Sequence, residues 1–557
     1  MKRVAAKVDY KVIAVLIVFS LLTLFPYFLN NFIYHQDDIF FHRTRLESYY
    51  EAVKQLDFFP RLFSTMGNNY GYAADLFYPS LLTLPFALFR LVGMGFVHSF
   101  FLYQFLISLT TAAIAYKVMK AMTGSKYQGL FFSILYTTAT YRLIDQSIRG
   151  ALGETLAFCF LPMILYAVYA IVYKEKDNWL LLTVGMSLLI ASHLITAFYA
   201  TIFIVIFLIL HFHLLDRRKV ISILKAGVSS AFLSAWFFLP YLEQTMQVTF
   251  NFTKAKLWLI GLDFTLGDLL GNSLSNIGKT SEALKPNFGI FILGVLIYAM
   301  LHYKKLTDSA KALTNTTLLL IVASTNLFFW ASFQDTFLSV IQFEWRLLIF
   351  VTLFGSVLAT WVLFRHIDKP EKTIFLFSAL LIFLLTYSFN VNTMEISSSK
   401  NSFIITDENF EEFQQSEIGH GREYLVKDTD TSTYFMNPVP KIDQTVYLTN
   451  TTQKHSYKTS EYNVQLLNDS VVQLPKFYYI GYATSVDGTA TSYYEKDGFL
   501  TMDVPAGEHE IIVTYVGTMI QRVSVWLSLL TGIALTGVWI RRLLLPKKGK
   551  HAVKTNF

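Results

Sequence analysis

About twelve apolar runs recur along this chain, most of them near the 20 residues that a helix needs to cross a bilayer. Hydrocarbon offers no water to satisfy backbone amides, so runs of this kind fold as helices that bond internally. Composition agrees: 15% of residues are charged, whereas a soluble globular chain carries roughly a quarter. The expected class is a mainly α polytopic membrane protein.

Lysine and arginine collect on cytoplasmic flanks, so the net charge of +7 is read as topology and not as affinity for nucleic acid. Lys2, Arg3, Lys7 and Lys11 precede the first run, Val12 to Leu29, and no small-residue cleavage site follows it. An uncleaved first span with the N-terminus inside is expected. Pro79 to Gly93 is short and holds Pro85 and Arg90, which predicts a helix lying on the outer surface. Counting it as a span would put Lys117, Lys120 and Lys126 outside. Runs from near Phe96, Tyr127, Thr155 and Trp179 alternate in direction, and the next returns to Asp216-Arg217-Arg218-Lys219. A run ending near Pro240 opens an outer loop from Tyr241 to about Pro286. Runs from Phe288, Leu313, Leu347 and Thr373 follow, with Lys304, Lys305, Lys369 and Lys372 on the inner side.

Composition changes after Asn390. Residues 391–519 are rich in Thr, Tyr, Val and Asp and alternate apolar with polar residues between Asp-Gly and Ala-Gly turn signals. A β-rich extracytoplasmic domain is predicted. A last span, Val523 to Ile540, ends at "RRLLLPKKGKH", so both termini are expected in the cytoplasm of a cell-membrane protein. The chain divides into a membrane part at 1–390 with its first outer loop at 30–95, the outer domain at 391–519, and a final helix and basic tail at 520–557.

The segment "YHQDDIFFHRTRLESYY" follows the first span. In a helix Asp38, His42, Arg45 and Tyr49 share one face, and Arg43 falls off it and is expected to tolerate substitution. An interfacial helix with snorkelling charges gives the same pattern. More ionisable groups lie at the same outer boundary: Arg142, Asp145, Arg149, Glu154, His193, Glu243, Glu344 and Arg346. Charge near hydrocarbon is costly and faces a cavity or a partner. His193 beside Ser192 also reads as a structural histidine, and Arg149 with Glu154 as a helix-end ion pair. In "IQFEWRLLIF", Trp345 suits the interfacial belt, while Arg346 is placed for bidentate contact with a phosphate at headgroup depth, beside Gln342. Asp428-Thr429-Asp430 reads as a solvated loop. The single cysteine, Cys159, excludes disulfides and cysteine-built metal sites. The short inner loops leave no room for a nucleotide-binding domain.

"DDIFFHRTR", "GNNYGYAADLFYPSLLTLPFALFRLVG", "YRLIDQSIRGALGE" and "IQFEWR" resemble bacterial membrane proteins labelled 6-pyruvoyl-tetrahydropterin-synthase-related. The C-terminal "LPKFYYIGYATSVDG" and "GFLTMDVPAGEHEIIVTYVGT" resemble the outer domain of YfhO-like proteins. Both groups resemble GT-C glycosyltransferases, integral membrane enzymes that use lipid-phosphate-linked sugars. Glu344 stands where that pattern has proline, and "YYIGY" where it has "YYPGW".

The resemblance implies transfer of a sugar from a polyprenyl-phosphate donor to a cell-envelope polymer or glycolipid on the outer face. Asp38 would act as general base, with His42, Arg45, Arg149, Glu154, His193, Gln342, Trp345 and Arg346 binding substrate. No cofactor is required and no metal ligand set is assigned, although the Asp37-Asp38 pair leaves room for a divalent metal. Membrane lipids are the other expected partners. A transporter or flippase for lipid-linked glycans and a non-catalytic glycan-binding scaffold are the alternatives.

Overall fold

Each predicted crossing contains a helix, but the helices differ in length, and the differences make the site. The computed structural model describes residues 9–25, 27–254, 263–281, 283–333, 336–399, 404–410, 418–419, 421–429, 431, 438–443, 446–448 and 451–544. In chain order come α1 (Tyr10–Leu22), α2 (Ile39–Lys54), α3 (Leu84–Leu91), α4 (Phe96–Thr123), α5 (Lys126–Thr137) and α6 (Leu152–Tyr173). Then follow α7 (Trp179–Ser192), α8 (Leu194–Leu210), α9 (Arg217–Leu233), α10 (Ala235–Gln247) and α11 (Leu266–Ser275). The last are α12 (Ile290–Leu301), α13 (Asp308–Ala323), α14 (Leu348–His366), α15 (Glu371–Ser399) and α16 (Met519–Leu544).

Among the described residues five helices are long and apolar enough to cross a membrane: α4, α6, α14 with the 3-10 turn before it, α15 and α16. A sixth crossing forms if α9 and α10, bent by 69° at Ser234, are taken together. The break corrects the expected end near Pro240, which instead lies inside α10. Its cause is a hydroxyl from a distant helix. Ser528 of α16 accepts the Trp236 amide at 2.8 Å and donates to the Phe232 carbonyl at 3.1 Å, taking up backbone groups on both sides of the break. The run expected from Leu313 to Phe333 is also redrawn: α13 starts at the Thr307 cap and stops at Ala323, and Trp330–Phe333 is a separate 3-10 turn. Pro79 to Gly93 holds only short helices, as its length predicted.

Alternation does produce sheets. One antiparallel sheet runs β10-β11-β7-β3-β4, comprising Tyr494–Lys496, Phe499–Val504, Ser470–Phe477, Lys441–Ile442 and Val446–Tyr447. The other runs β5-β6-β12-β8-β9, comprising Thr452–Ser456, Thr459–Leu466, Gly507–Tyr515, Tyr482–Val486 and Thr489–Ala490. Tyr462, Val464 and Leu466 on β6 and Ile511, Val513 and Tyr515 on β12 recur at period-two spacing on one buried face of the sheet, with Tyr462 opposite Ile511.

The first outer loop belongs to the same core. Leu62, Phe63, Met66 and Tyr70 are buried with Leu474, Phe477 and Phe499 of the sheets. Phe477 N donates to the Tyr70 carbonyl at 3.0 Å. Asp57 accepts from the Tyr457 hydroxyl at 3.0 Å and pairs with the Lys458 ammonium. A small antiparallel ladder of β1 (Ile33–Tyr34) with β2 (Ile404–Ile405) ties the start of that loop to the chain beyond α15.

Lys476 of β7 is buried in this shared core, its ammonium 2.5 Å from the Asn69 carbonyl. Burial pushes that ammonium down to about 7 from an ordinary value of 10.5. Between those values the unfolded chain binds a proton that the folded chain lacks, so stability rises with pH. Thermal unfolding of the full chain from about pH 7 to about pH 10 is expected to show that rise, and Lys476→Met to remove it. An equal rise in the variant would assign the trend to another group.

Candidate functional site

The backbone before α2 is pinned along a five-residue π turn, Asp145–Arg149. Gln36 Nε2 donates to the Ser147 carbonyl at 3.1 Å, Asp37 N to Ile148 at 3.4 Å and Asp38 N to Arg149 at 2.7 Å. Gly150 ends the turn at φ +66°, and a Cβ there would lie 2.6 Å from Gln36 Oε1. Only glycine fits both demands. Asp38 therefore enters α2 as its N-cap, yet its carboxylate makes no capping bond to the helix. Asp37 and Asp38 instead line a cleft of about 300 Å³.

Ionic and aromatic groups converge there. His42, Arg149, Glu154, His193, Gln342 and Arg346 join the two aspartates. Phe77, Tyr78, Tyr241, Phe252 and Tyr424 add an aromatic lining, and Glu423 a further carboxylate. Helices that stop early create the space. α7 ends at Ser192 and α8 starts at Leu194, so His193 stands in extended backbone between them. The segment supplying Glu423 and Tyr424 is held by an antiparallel bridge between Phe250 and Val426, with Phe252 N donating to the Glu423 carbonyl at 3.0 Å.

The cleft's ionic groups form a buried chain. Arg149 Nη1 donates to Asp145 Oδ1 at 2.5 Å and to Glu154 Oε2 at 2.7 Å. Tyr141 donates its hydroxyl to Glu154 Oε1 at 2.7 Å. The Arg149 guanidinium lies over the Trp345 ring, 4.5 Å from its centroid. Arg346 Nη1 donates to Gln342 Oε1 at 2.7 Å, while its Nε stands 3.9 Å from Glu154 Oε2 and makes no hydrogen bond among the described residues. Gln342 is held at φ +62°, a costly backbone for a residue with a Cβ. Both guanidiniums line the cleft: Nη1 of Arg149 is shared between two carboxylates, and the buried Nε of Arg346 makes no hydrogen bond among the described residues. Burial, with Arg45, His193 and Arg149 nearby, holds the His42 imidazole well below its ordinary value, so it is neutral. Burial and the Asp38 charge raise the Asp37 carboxyl.

Arg45 and Trp345 stand behind the cleft wall. Arg45 lies 4.2 Å over the Tyr78 ring, and Trp345 supports Arg149. Arg43 is off the shared face of α2, as expected, but it is no surface residue: it is fully buried, its guanidinium 5.2 Å from the Phe40 centroid. Other boundary charges are used elsewhere. Arg142 bonds the Thr137 carbonyl, Gln146 and Ser108, and Glu243 accepts from Thr518. Glu344 is buried and does not line the cleft. Asp428 is exposed beside Lys427, and Asp430 lies outside the described residues.

Tyr78 was not anticipated, and its signal is Gly153, the second residue of α6. A Cβ at Gly153 would lie 1.9 Å from the Tyr78 hydroxyl and 2.7 Å from the Ser192 carbonyl. Gly153→Ala is expected to destabilise the protein by about 1–3 kcal/mol through overpacking. Tyr78→Phe, which removes the clashing oxygen, should recover part of that loss in a thermal melt. Recovery of nothing would put the clash at Ser192 instead.

Among the described residues no group of three or more His, Cys, Asp or Glu is placed to hold a metal ion.

Among solved structures the chain is similar to the arabinofuranosyltransferase AftD from Mycobacteria, determined by single-particle cryo-EM. The TM-score is 0.42 at 14% identity, over 69% of this chain and 27% of that one. The chain thus spans about a quarter of that protein's length, and likeness at this level says nothing of what this chain acts on. No family model matches the chain, and no curated protein matches it. The YfhO-like and pterin-synthase-related resemblances therefore have no family-level match behind them.

Proposed function

We propose that the chain is a GT-C-like membrane glycosyltransferase that moves a sugar from a polyprenyl-phosphate donor to a cell-envelope polymer or glycolipid on the extracytoplasmic face. The observation that carries the reading is one cleft lined by both a carboxylate at the start of α2, Asp38, and two guanidiniums, Arg149 and Arg346. Transfer of this kind needs a base on the acceptor hydroxyl and charge stabilisation on the departing phosphate. Asp38 takes the proton as the acceptor oxygen bonds the anomeric carbon, and the bond from that carbon to the donor phosphate oxygen breaks. Arg346 receives the phosphate charge, Arg149 and Glu154 hold Arg346 and Gln342 in place, and neutral His42 hydrogen-bonds a sugar hydroxyl. Tyr78, Tyr241 and Tyr424 offer ring faces to the sugar.

The reading brings twelve crossings with it, counting α9 and α10 as one, both termini in the cytoplasm and the sheets outside. It also keeps the division at 1–390, 391–519 and 520–557, with the outer part contributing Glu423 and Tyr424 to the cleft. The test is transfer of labelled sugar from a polyprenyl-phosphate donor by membranes from cells expressing or lacking the chain. Transfer independent of expression would overturn it. A second reading, a flippase for lipid-linked glycans, draws on the 69° break between α9 and α10 and the interruption at His193, since broken helices are a transporter's feature. Movement of labelled lipid-linked glycan across proteoliposomes, without transfer, would favour it.

A further inference from the structure

The end of α14 away from the cleft carries a second arrangement that transfer chemistry does not use. α14 has 19 residues, which puts His366 about 27 Å along the axis from Leu348 at 1.5 Å per residue. There α14 floors a groove of about 370 Å³ walled by α12 and α15. On α12, Ile290, Gly294 and Tyr298 recur every fourth residue along one face, and Leu381 and Leu385 of α15 stand opposite. The groove is open at Gly294, where a Cβ would meet nothing within 4 Å.

A second cavity of about 350 Å³, lined by Arg365, His366, Thr123, Thr307 and Gln128, shares Val362 and His366 with it. The apolar groove thus adjoins a chamber of cationic, imidazole, hydroxyl and amide groups. Glu371 stands at its rim, but its carboxylate accepts from Ser125 and Gln128. Arg365 is exposed, and among the described residues neither Arg365 nor His366 forms an ion pair.

We infer that this pair of cavities binds one anionic glycerophospholipid from the leaflet opposite the cleft, an acyl chain in the groove and the headgroup phosphate on Arg365. An apolar groove beside a basic chamber at a helix end matches the two halves of such a lipid, and a guanidinium donates to two phosphate oxygens in bidentate fashion. Lys304 and Lys305, in the turn after α12, and Lys369 and Lys372, around the start of α15, add positive charge to the same end and outnumber Asp308 and Asp368 in the same turns. The site is independent of the proposed sugar transfer.

Native mass spectrometry of the detergent-purified full chain, titrated with phosphatidylglycerol or phosphatidylcholine, tests it. One phosphatidylglycerol should be retained under conditions that strip phosphatidylcholine. Replacing both Arg365 and His366 by alanine should weaken that retention about tenfold, the loss expected for a charge-assisted contact. Gly294→Phe, which fills the channel, should weaken both lipids, and added inorganic phosphate should displace neither. Equal retention of the two lipids by the wild type would overturn the proposal. So would an unchanged preference in the double variant, which alters only the inner end and so reads the site even if Gly294→Phe fails to fold. Displacement by inorganic phosphate would also overturn it, by making the chamber a free-phosphate site.

Discussion

Asp38→Asn is expected to cost about 10²- to 10⁴-fold in the rate of sugar transfer, the usual loss when a general base is removed. Asparagine keeps the size and the backbone bond from residue 38 to the Arg149 carbonyl, so the pinned turn and the start of α2 survive. What disappears is the proton acceptor. Arg346→Ala should lower transfer through the leaving phosphate while Asp38 remains in place. Buried Arg43 is a poor control; Glu51→Gln, on an exposed position of the same helix, is the better one. Rates are compared at matched amounts of folded protein. Normal product from the Asp38→Asn chain would make α2 a structural helix that merely borders the cleft, and the base would have to be sought elsewhere.

The largest effect on stability is expected at Arg149. Its guanidinium holds two buried carboxylates, and Arg149→Met leaves Asp145 without that cation and Glu154 with only the Arg346 Nε at 3.9 Å. Breaking a buried pair by removing one partner costs about 3–5 kcal/mol. Arg149→Met should therefore lower the thermal midpoint and increase protease sensitivity in detergent. Combining it with Asp145→Asn and Glu154→Gln removes the orphaned charges and should restore most of that loss, although not activity. A single variant as stable as the wild type would show that the carboxylates are already neutralised without Arg149.

Helix positions were legible because apolar length is a local property, and α2 was legible because its spacing repeats along one segment. The break at Ser234 was not, since it is made by Ser528, almost 300 residues away in the chain. Most of the polar half of the cleft could be named from the sequence, because ionisable groups beside lipid are rare enough to stand out. Its aromatic half could not: Tyr78, Tyr241 and Tyr424 sit among 32 tyrosines, and no spacing relates them. Arg45 and Trp345 were placed at the right depth but one layer too far forward, because spacing along a helix does not say which neighbour fills the gap. The shared core of the first outer loop with the sheets was also hidden, since the loop's own sequence reads equally well as surface.

That shared core sets the order in which the molecule can be built. Tyr72 in the first loop receives the Tyr424 amide across 352 residues, and Asn390 reaches the Leu22 carbonyl across 368. A ribosome adding 5–20 residues per second takes roughly 20–70 s to close the first of these gaps. For that interval, on the proposed topology, α2 is already translocated, yet Leu62, Phe63 and Met66 have no strands to cover them. Nascent chains should therefore pass through a stage that is inserted but lacks a finished cleft, and that leans on chaperones on the side of the sheets. Chains stopped short of β7 should accumulate in the membrane as targets of quality-control proteolysis.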